Sequence, residues 1–147
     1  MEIEWLILAD AAQVVDGKLY LLGGGWDRLT INTGFPVQNT IAVAMSFTVP
    51  WLETNQQHHI QLEITDQDHT KVLATLEAGL EVGRPPGIEH GTEQRSQLAA
   101  AFPLTIERPG VYEINVQIKD SDSPGKRAIL TVVPGPLLAM RMSSGTP

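Results

Sequence analysis

The sequence predicts an all-β fold: an antiparallel two-sheet β-sandwich of about eight strands. Three observations predict it. Apolar and polar residues alternate with period two over most of the chain, the pattern of a strand with one buried face. The alternating runs stop at Gly, Pro and Asp clusters, residues that preset or tolerate turn dihedrals. The 147 residues contain no cysteine, and a chain of this length buries roughly 70% of its unfolded surface without a covalent staple.

The strands follow in order over 3–14, 18–31, 40–49, 58–65, 71–78, 96–107, 112–119 and 126–133. The first two flank Asp16-Gly17, a pair suited to a tight hairpin turn. Gly23-Gly24-Gly25 interrupts the second, which reads as one long strand bent around the sandwich so that Trp26 meets neighbouring structure. In 40–49, Ile41, Val43, Met45, Phe47 and Val49 form the core face, and Ala42, Ala44, Ser46 and Thr48 form an unusually small, neutral second face. Ile60, Leu62 and Ile64 alternate up to Thr65-Asp66. In 96–107, Leu98, Ala100 and Phe102 oppose Gln97, Ala99 and Ala101. Good helix formers over 92–101 leave that stretch open to either strand or helix. The cleanest alternation sets Tyr112, Ile114, Val116 and Ile118 against Glu113, Asn115, Gln117 and Lys119. Pro109-Gly110 and Ser123-Pro124-Gly125 supply the flanking turns. Residues 1–134 are expected to form a single domain and 135–147 a partly mobile C-terminal tail, with Leu137, Leu138 and Met140 available to dock.

Ten basic residues against seventeen acidic ones give a net charge of −7. Nucleic acid and anionic membrane surfaces both require a Lys/Arg patch, and the chain has no such cluster, so neither is expected as a partner. No apolar run approaches the roughly 18 residues that span a bilayer. Two acids in Met1-Glu2-Ile3-Glu4-Trp5 replace the basic region of a secretory leader. Together with the absence of cysteine, these features point to the cytoplasm. Charged residues make up 18% of the chain, against about 25% in a typical soluble domain. Low charge and small neutral outer faces lead us to expect a homo-oligomer.

The order of motifs resembles a small uncharacterised bacterial family whose members open with a strand pair of the type ADxAQVxxGKLxLLG. The matching residues are Ala9-Asp10-Ala11-Ala12-Gln13-Val14 and Gly17-Lys18-Leu19-Tyr20-Leu21-Leu22-Gly23, followed by Trp26-Asp27-Arg28-Leu29 and Phe35-Pro36. Glu63-Ile64-Thr65-Asp66 and Pro109-Gly110-Val111-Tyr112-Glu113 fit its later strands. The resemblance implies an immunoglobulin-like β-sandwich with no assigned activity, and it supplies no catalytic residues.

Candidate chemistry is sparse. The three glycines do not form a phosphate loop, because no helix and no Lys-Ser/Thr follow them. Asp66-Gln67-Asp68 and Asp120-Ser121-Asp122 have a calcium-loop look, but alternating turns place them at opposite ends of the sandwich, so each Asp reads as an Asx-turn residue. His58 and His59 are adjacent on a strand and point to opposite faces, while His69 sits in a turn and His90 in a loop. There is no cysteine nucleophile and no Gly-x-Ser-x-Gly elbow. We therefore expect no catalytic residues, no cofactor and no metal.

The remaining candidate is the long loop 79–95, which contains Gly83-Arg84-Pro85-Pro86-Gly87. Turn alternation clusters it with Trp51, Asp16, Asp120 and Asp122. Trp51, Arg84, His90, Asp120 and Asp122 are thus the expected interaction patch. The sequence is read as a non-enzymatic interaction or structural module that self-associates and engages a protein partner. The alternative is a small-ligand or metal-binding sandwich that uses the same loop end.

Overall fold

A computed structural model describes residues 1–144. The period-two segments form nine strands: β1 Glu2–Val15, β2 Lys18–Gly24, β3 Arg28–Ile31, β4 Val37–Val49, β5 Gln57–Asp66, β6 Val72–Glu81, β7 Gln94–Ile106, β8 Gly110–Ile118 and β9 Lys126–Pro134. One sheet has the order β2-β1-β4-β7, and the other β3-β9-β8-β5-β6. The all-β sandwich expected from sequence is the fold observed. The stretch 92–101 is strand, and every β4 residue has a β7 partner, from Val37 opposite Ile106 to Val49 opposite Gln94. That continuous ladder outweighs the local helix propensity of Gln97-Leu98-Ala99-Ala100.

The expected bent strand over 18–31 is in fact two strands in different sheets. β2 runs antiparallel to β1, whereas β3 pairs in parallel with β9, the one departure from antiparallel pairing among the described residues. Gly23 and Gly25 have φ of +58° and +86°, a region open to glycine and costly for other residues. A Cβ at Gly23 would also collide with the Asp10 carboxylate. The corner reverses the chain, and Trp26 closes it by donating from Nε1 to the Gly23 carbonyl at 2.8 Å while packing against the core.

This reversal changes which turns share an end of the sandwich. β1 pairs antiparallel with β4 from Glu2 opposite Thr48 to Ala9 opposite Ala42. Its start therefore lies with Pro50 and Asp120, and its Asp16-Gly17 turn lies at the far end. Asp16 does not join the loop 82–93 cluster, contrary to expectation.

Between the sheets, Ile41, Val43, Met45, Phe47 and Val49 of β4 meet Ile60, Leu62 and Ile64 of β5, Ile114 of β8 and Leu130 of β9 in one fully buried cluster. Each such side chain contributes about 1.5–3 kcal/mol of transfer free energy. The Tyr112 hydroxyl donates to the Arg108 carbonyl at 2.6 Å, a local tie like the tyrosine corner of immunoglobulin-type sandwiches. Burial holds the Tyr112 phenol above its ordinary pKa.

Ala42, Ala44 and Ser46, on the β4 face turned away from the core, are also buried. The sheet curls so that β1 and β7 approach each other across β4, and only small side chains fit inside that curl. These residues are covered by the chain's own strands. Across the curl, Arg95 donates to both Glu4 oxygens at 2.7 and 2.8 Å, and Ser46 Oγ donates to Glu4 at 3.0 Å.

Gly135 leads into a helix, α1, at Pro136–Ser143. The start of the expected tail is therefore structured. Leu138 docks, while Leu137 and Met140 stay exposed. Residues 145–147, the end of that tail, lie outside the described residues. Among the described residues no helix is long and apolar enough to cross a membrane.

The Arg95 hydrogen bonds hold the Glu4 carboxyl below its usual range. A carboxyl depressed on folding stabilises the native state above its unfolded pKa, and that contribution is lost as pH falls through the folded value. Glu4→Gln should therefore lose less Tm than wild type between about pH 5 and about pH 3, as followed by thermal circular dichroism at several pH values.

Candidate functional site

Pro50 ends β4, and the chain enters a short 3-10 turn over Trp51–Glu53. Thr54 Oγ1 donates to the Trp51 carbonyl at 2.6 Å, and Asn55 N donates to the Val82 carbonyl at 2.7 Å. These bonds tie the turn to the start of loop 82–93, which is shorter than the 79–95 expected because β6 continues to Glu81. Arg84 then reaches back over the turn. Its guanidinium carbon lies 3.8 Å from the Trp51 ring centroid, Nε donates to Thr54 Oγ1 at 2.7 Å, and Nη2 donates to the Trp51 carbonyl at 2.8 Å. The His90 ring centroid is 4.6 Å from that of Trp51, tilted by 47°.

Trp51, Arg84 and His90 are thus brought into one stack. Stacking on Trp51 fixes Arg84, and Arg84 fixes the loop, through a planar cation and an aromatic face. Asp120 and Asp122 are placed differently. They line a neighbouring cleft of about 780 Å³ on the other side of the Pro50 turn, together with Glu53, His58, Glu93 and Lys119. Glu53 pairs with the Met1 amino group, and His58 Nε2 lies 2.8 Å from the Glu53 carbonyl. Glu2, Glu53, Glu93, Asp120 and Asp122 outnumber Lys119 and the Met1 amino group at the cleft, so its mouth is acidic. Among the described residues no group of three or more His, Asp or Glu side chains is arranged to hold a metal ion.

The other Asp-x-Asp pair has a local role. Asp66 Oδ1 accepts from Thr70 N at 2.8 Å and Lys71 N at 3.2 Å, while Oδ2 accepts from Thr70 Oγ1 at 2.6 Å. The Thr70 hydroxyl, foremost among these donors, depresses the Asp66 pKa. This is the Asx-type turn that the sequence suggests.

One cluster was not legible from the periodicity. Glu113 alternates like a solvated residue, yet it is buried on the outer face of the β9-β8-β5 sheet. Arg127 Nη1 donates to its Oε1 at 3.0 Å, and His69 Nε2 lies 2.8 Å from its Oε2. His69 Nδ1 is in turn 3.3 Å from Thr65 Oγ1. The sequence places His69 in a turn, where it is indeed found, but as a partner of a buried carboxylate. Hydroxyl, imidazole and carboxylate have the order of a hydrolytic triad. Thr65 itself is only 2% exposed. The cluster holds together one wall of a shallow polar groove of about 500 Å³ that also contains Gln61 and Asn115.

A family model described as a family of unknown function (DUF6941) matches residues 4–132, and the chain belongs to that family. No curated protein matches the sequence. Among solved structures, the CARDB domain of a Pyrococcus furiosus protein, in complex with di-metal ions, is similar at 12% identity and a TM-score of 0.43, over 92% of this chain and 98% of that one. A β-glucosidase from Listeria innocua, in complex with isofagomine, is similar at 13% identity and a TM-score of 0.39, over 90% of this chain and 16% of the enzyme. Likenesses this loose carry no ligand or chemistry across.

Arg84→Ala should release loop 82–93, raising its amide hydrogen exchange while costing only about 1 kcal/mol of global stability, because the guanidinium is exposed. Arg84→Lys should not restore protection, since an ammonium neither stacks nor forks. Arg127→Ala leaves Glu113 buried with a weaker partner set. Denaturant melts should show it to be less stable than Glu113→Gln by about 1–3 kcal/mol.

Proposed function

We propose that this member of the DUF6941 family is a non-enzymatic interaction module that binds a segment of a partner protein at its loop end. The observation that carries the proposal is the Trp51–Arg84–His90 stack standing beside the acidic cleft of Asp120 and Asp122. An aromatic with a fixed guanidinium is the composition of an interface anchor. The adjoining carboxylates favour a basic segment and would set its orientation and encounter rate more than its affinity. The loop is tied to the turn by Arg84 and Asn55, so binding would cost little ordering entropy.

The test is affinity capture from a lysate of the source organism, with wild type compared against Trp51→Ala/His90→Ala and Asp120→Asn/Asp122→Asn. A control, Gln61→Ala/Gln117→Ala, alters the opposite sheet face. The expected result is a partner held by wild type and control, lost from the first variant, and held more weakly and with less salt dependence by the second. Recovery of the same partners by all four proteins would overturn the proposal.

A further inference from the structure

The two sheets end in four edge strands, and three carry recognisable protection against pairing. β7 has Pro103, which lacks an N–H, and the charged Arg95. β6 carries Glu77 and Glu81, and β3 is only four residues long. Such features are how natural sheets keep their edges from recruiting strands. β2 has none beyond Lys18 at its first position. Its remaining side chains run Leu19-Tyr20-Leu21-Leu22, the continuous apolar run of a strand covered on both faces. Yet Leu22 is 71% exposed and Tyr20 57% exposed on one face, and Leu21 is 38% exposed on the other. No hydrophobic residue between Ala9 and Trp26 packs against the core. The hairpin of β1 and β2 therefore adds nothing to the core, approaching β7 only lightly, and among the described residues its outer main chain is unpaired.

We propose that β2 pairs antiparallel with β2 of a second copy of this chain about a two-fold axis, joining the two four-stranded sheets into one. The strand itself argues for this occupant. Full overlap of Lys18–Gly24 with its copy centres the register on Leu21. Tyr20 then stands opposite Leu22 of the second copy and Leu21 opposite Leu21, which are aromatic–aliphatic and aliphatic cross-strand pairs of the stabilising kind. Gly23 and Gly24 bring no side chain of their own opposite Leu19 and Lys18. An isologous contact of this type satisfies both edges at once and closes, leaving no edge for further growth.

Charge points the same way. At a net charge of −7, two copies repel over most of their surfaces, whereas β2 contains one lysine and no acid. The acidic loop end lies away from this edge. Seven paired residues span only about 23 Å, which places the contact in the small-interface class and makes the dimer reversible, with a Kd in the micromolar range. The inference does not rest on the loop-end proposal, since the two surfaces share no residue.

The chain has no cysteine, so a single introduced thiol can report on the pairing. Sedimentation equilibrium of wild type should show mass rising from 16.0 kDa towards twice that value as concentration increases through the micromolar range. Tyr20→Lys/Leu22→Lys changes exposed side chains only. It should keep the wild-type circular dichroism and raise the dimer Kd at least tenfold. Under mild oxidation Leu21→Cys should form a disulfide-linked dimer, whereas Leu52→Cys, at the loop end and more exposed than Leu21 (82% against 38%), should not. A strict monomer up to millimolar concentration would overturn the proposal. So would a dimer undiminished in the double-lysine variant, or equal cross-linking at positions 21 and 52. Capture of a different protein on the β2 edge of a monomeric chain would overturn it as well.

Discussion

Three consecutive glycines set the direction of much of this fold. With a side chain at Gly23, the Asp10 carboxylate and a positive φ would both stand in the way, and β2 could not turn out of its sheet. Because it does turn, β3 crosses to the other sheet and runs parallel to β9. β2 is left as an outer strand with one neighbour. The same reversal decides which loops meet. It sends Asp16 to the end of the sandwich away from Trp51, Asp120 and loop 82–93, whose common end is set by the antiparallel run of β4 to β9. A motif that resembles a nucleotide signature is a corner, and the free edge follows from where it points.

β4 is the second organising element. Its large residues fill the space between the sheets, and its small ones lie inside the curl formed by β1 and β7. A small neutral outer face looks from sequence like an interface. Here the chain itself covers it, and the Glu4–Arg95 pair spans the curl. The opposite sheet presents an ordinary wet exterior, with Lys119 bonded to Glu77 and Gln117 to Gln61. Exposed apolar side chains lie on the hairpin, at Tyr20, Leu21 and Leu22, and on α1, at Leu137, Met140 and Met142.

The loop end owes its order to one guanidinium. Arg84 binds the turn at two points and stacks on its aromatic ring, so a loop rich in Gly and Pro is held without regular structure. Glu113 shows the opposite economy: a carboxylate is buried on an outer face, and a guanidinium, an imidazole and a hydroxyl are arranged around it. The first arrangement leaves chemistry at the surface. In the second, the polar groups are turned on one another.

The sequence by itself determined the strands, the core and the turn chemistry. These depend on period-two burial and on local dihedral preferences, and both are written within a few residues. Ile41 to Val49, Tyr112 to Ile118 and the Asx turn at Asp66 were legible for that reason. So was the stacking group of Trp51, Arg84 and His90, since turn alternation brings their segments to one end. Only the tertiary structure decided that the glycines reverse the chain, that Ala42 and Ala44 are covered by β1 and β7, that Glu113 is buried, and that Asp120 and Asp122 line a separate cleft. Each of these depends on which strand lies beside which, a contact between residues far apart in the chain, and no local pattern encodes it.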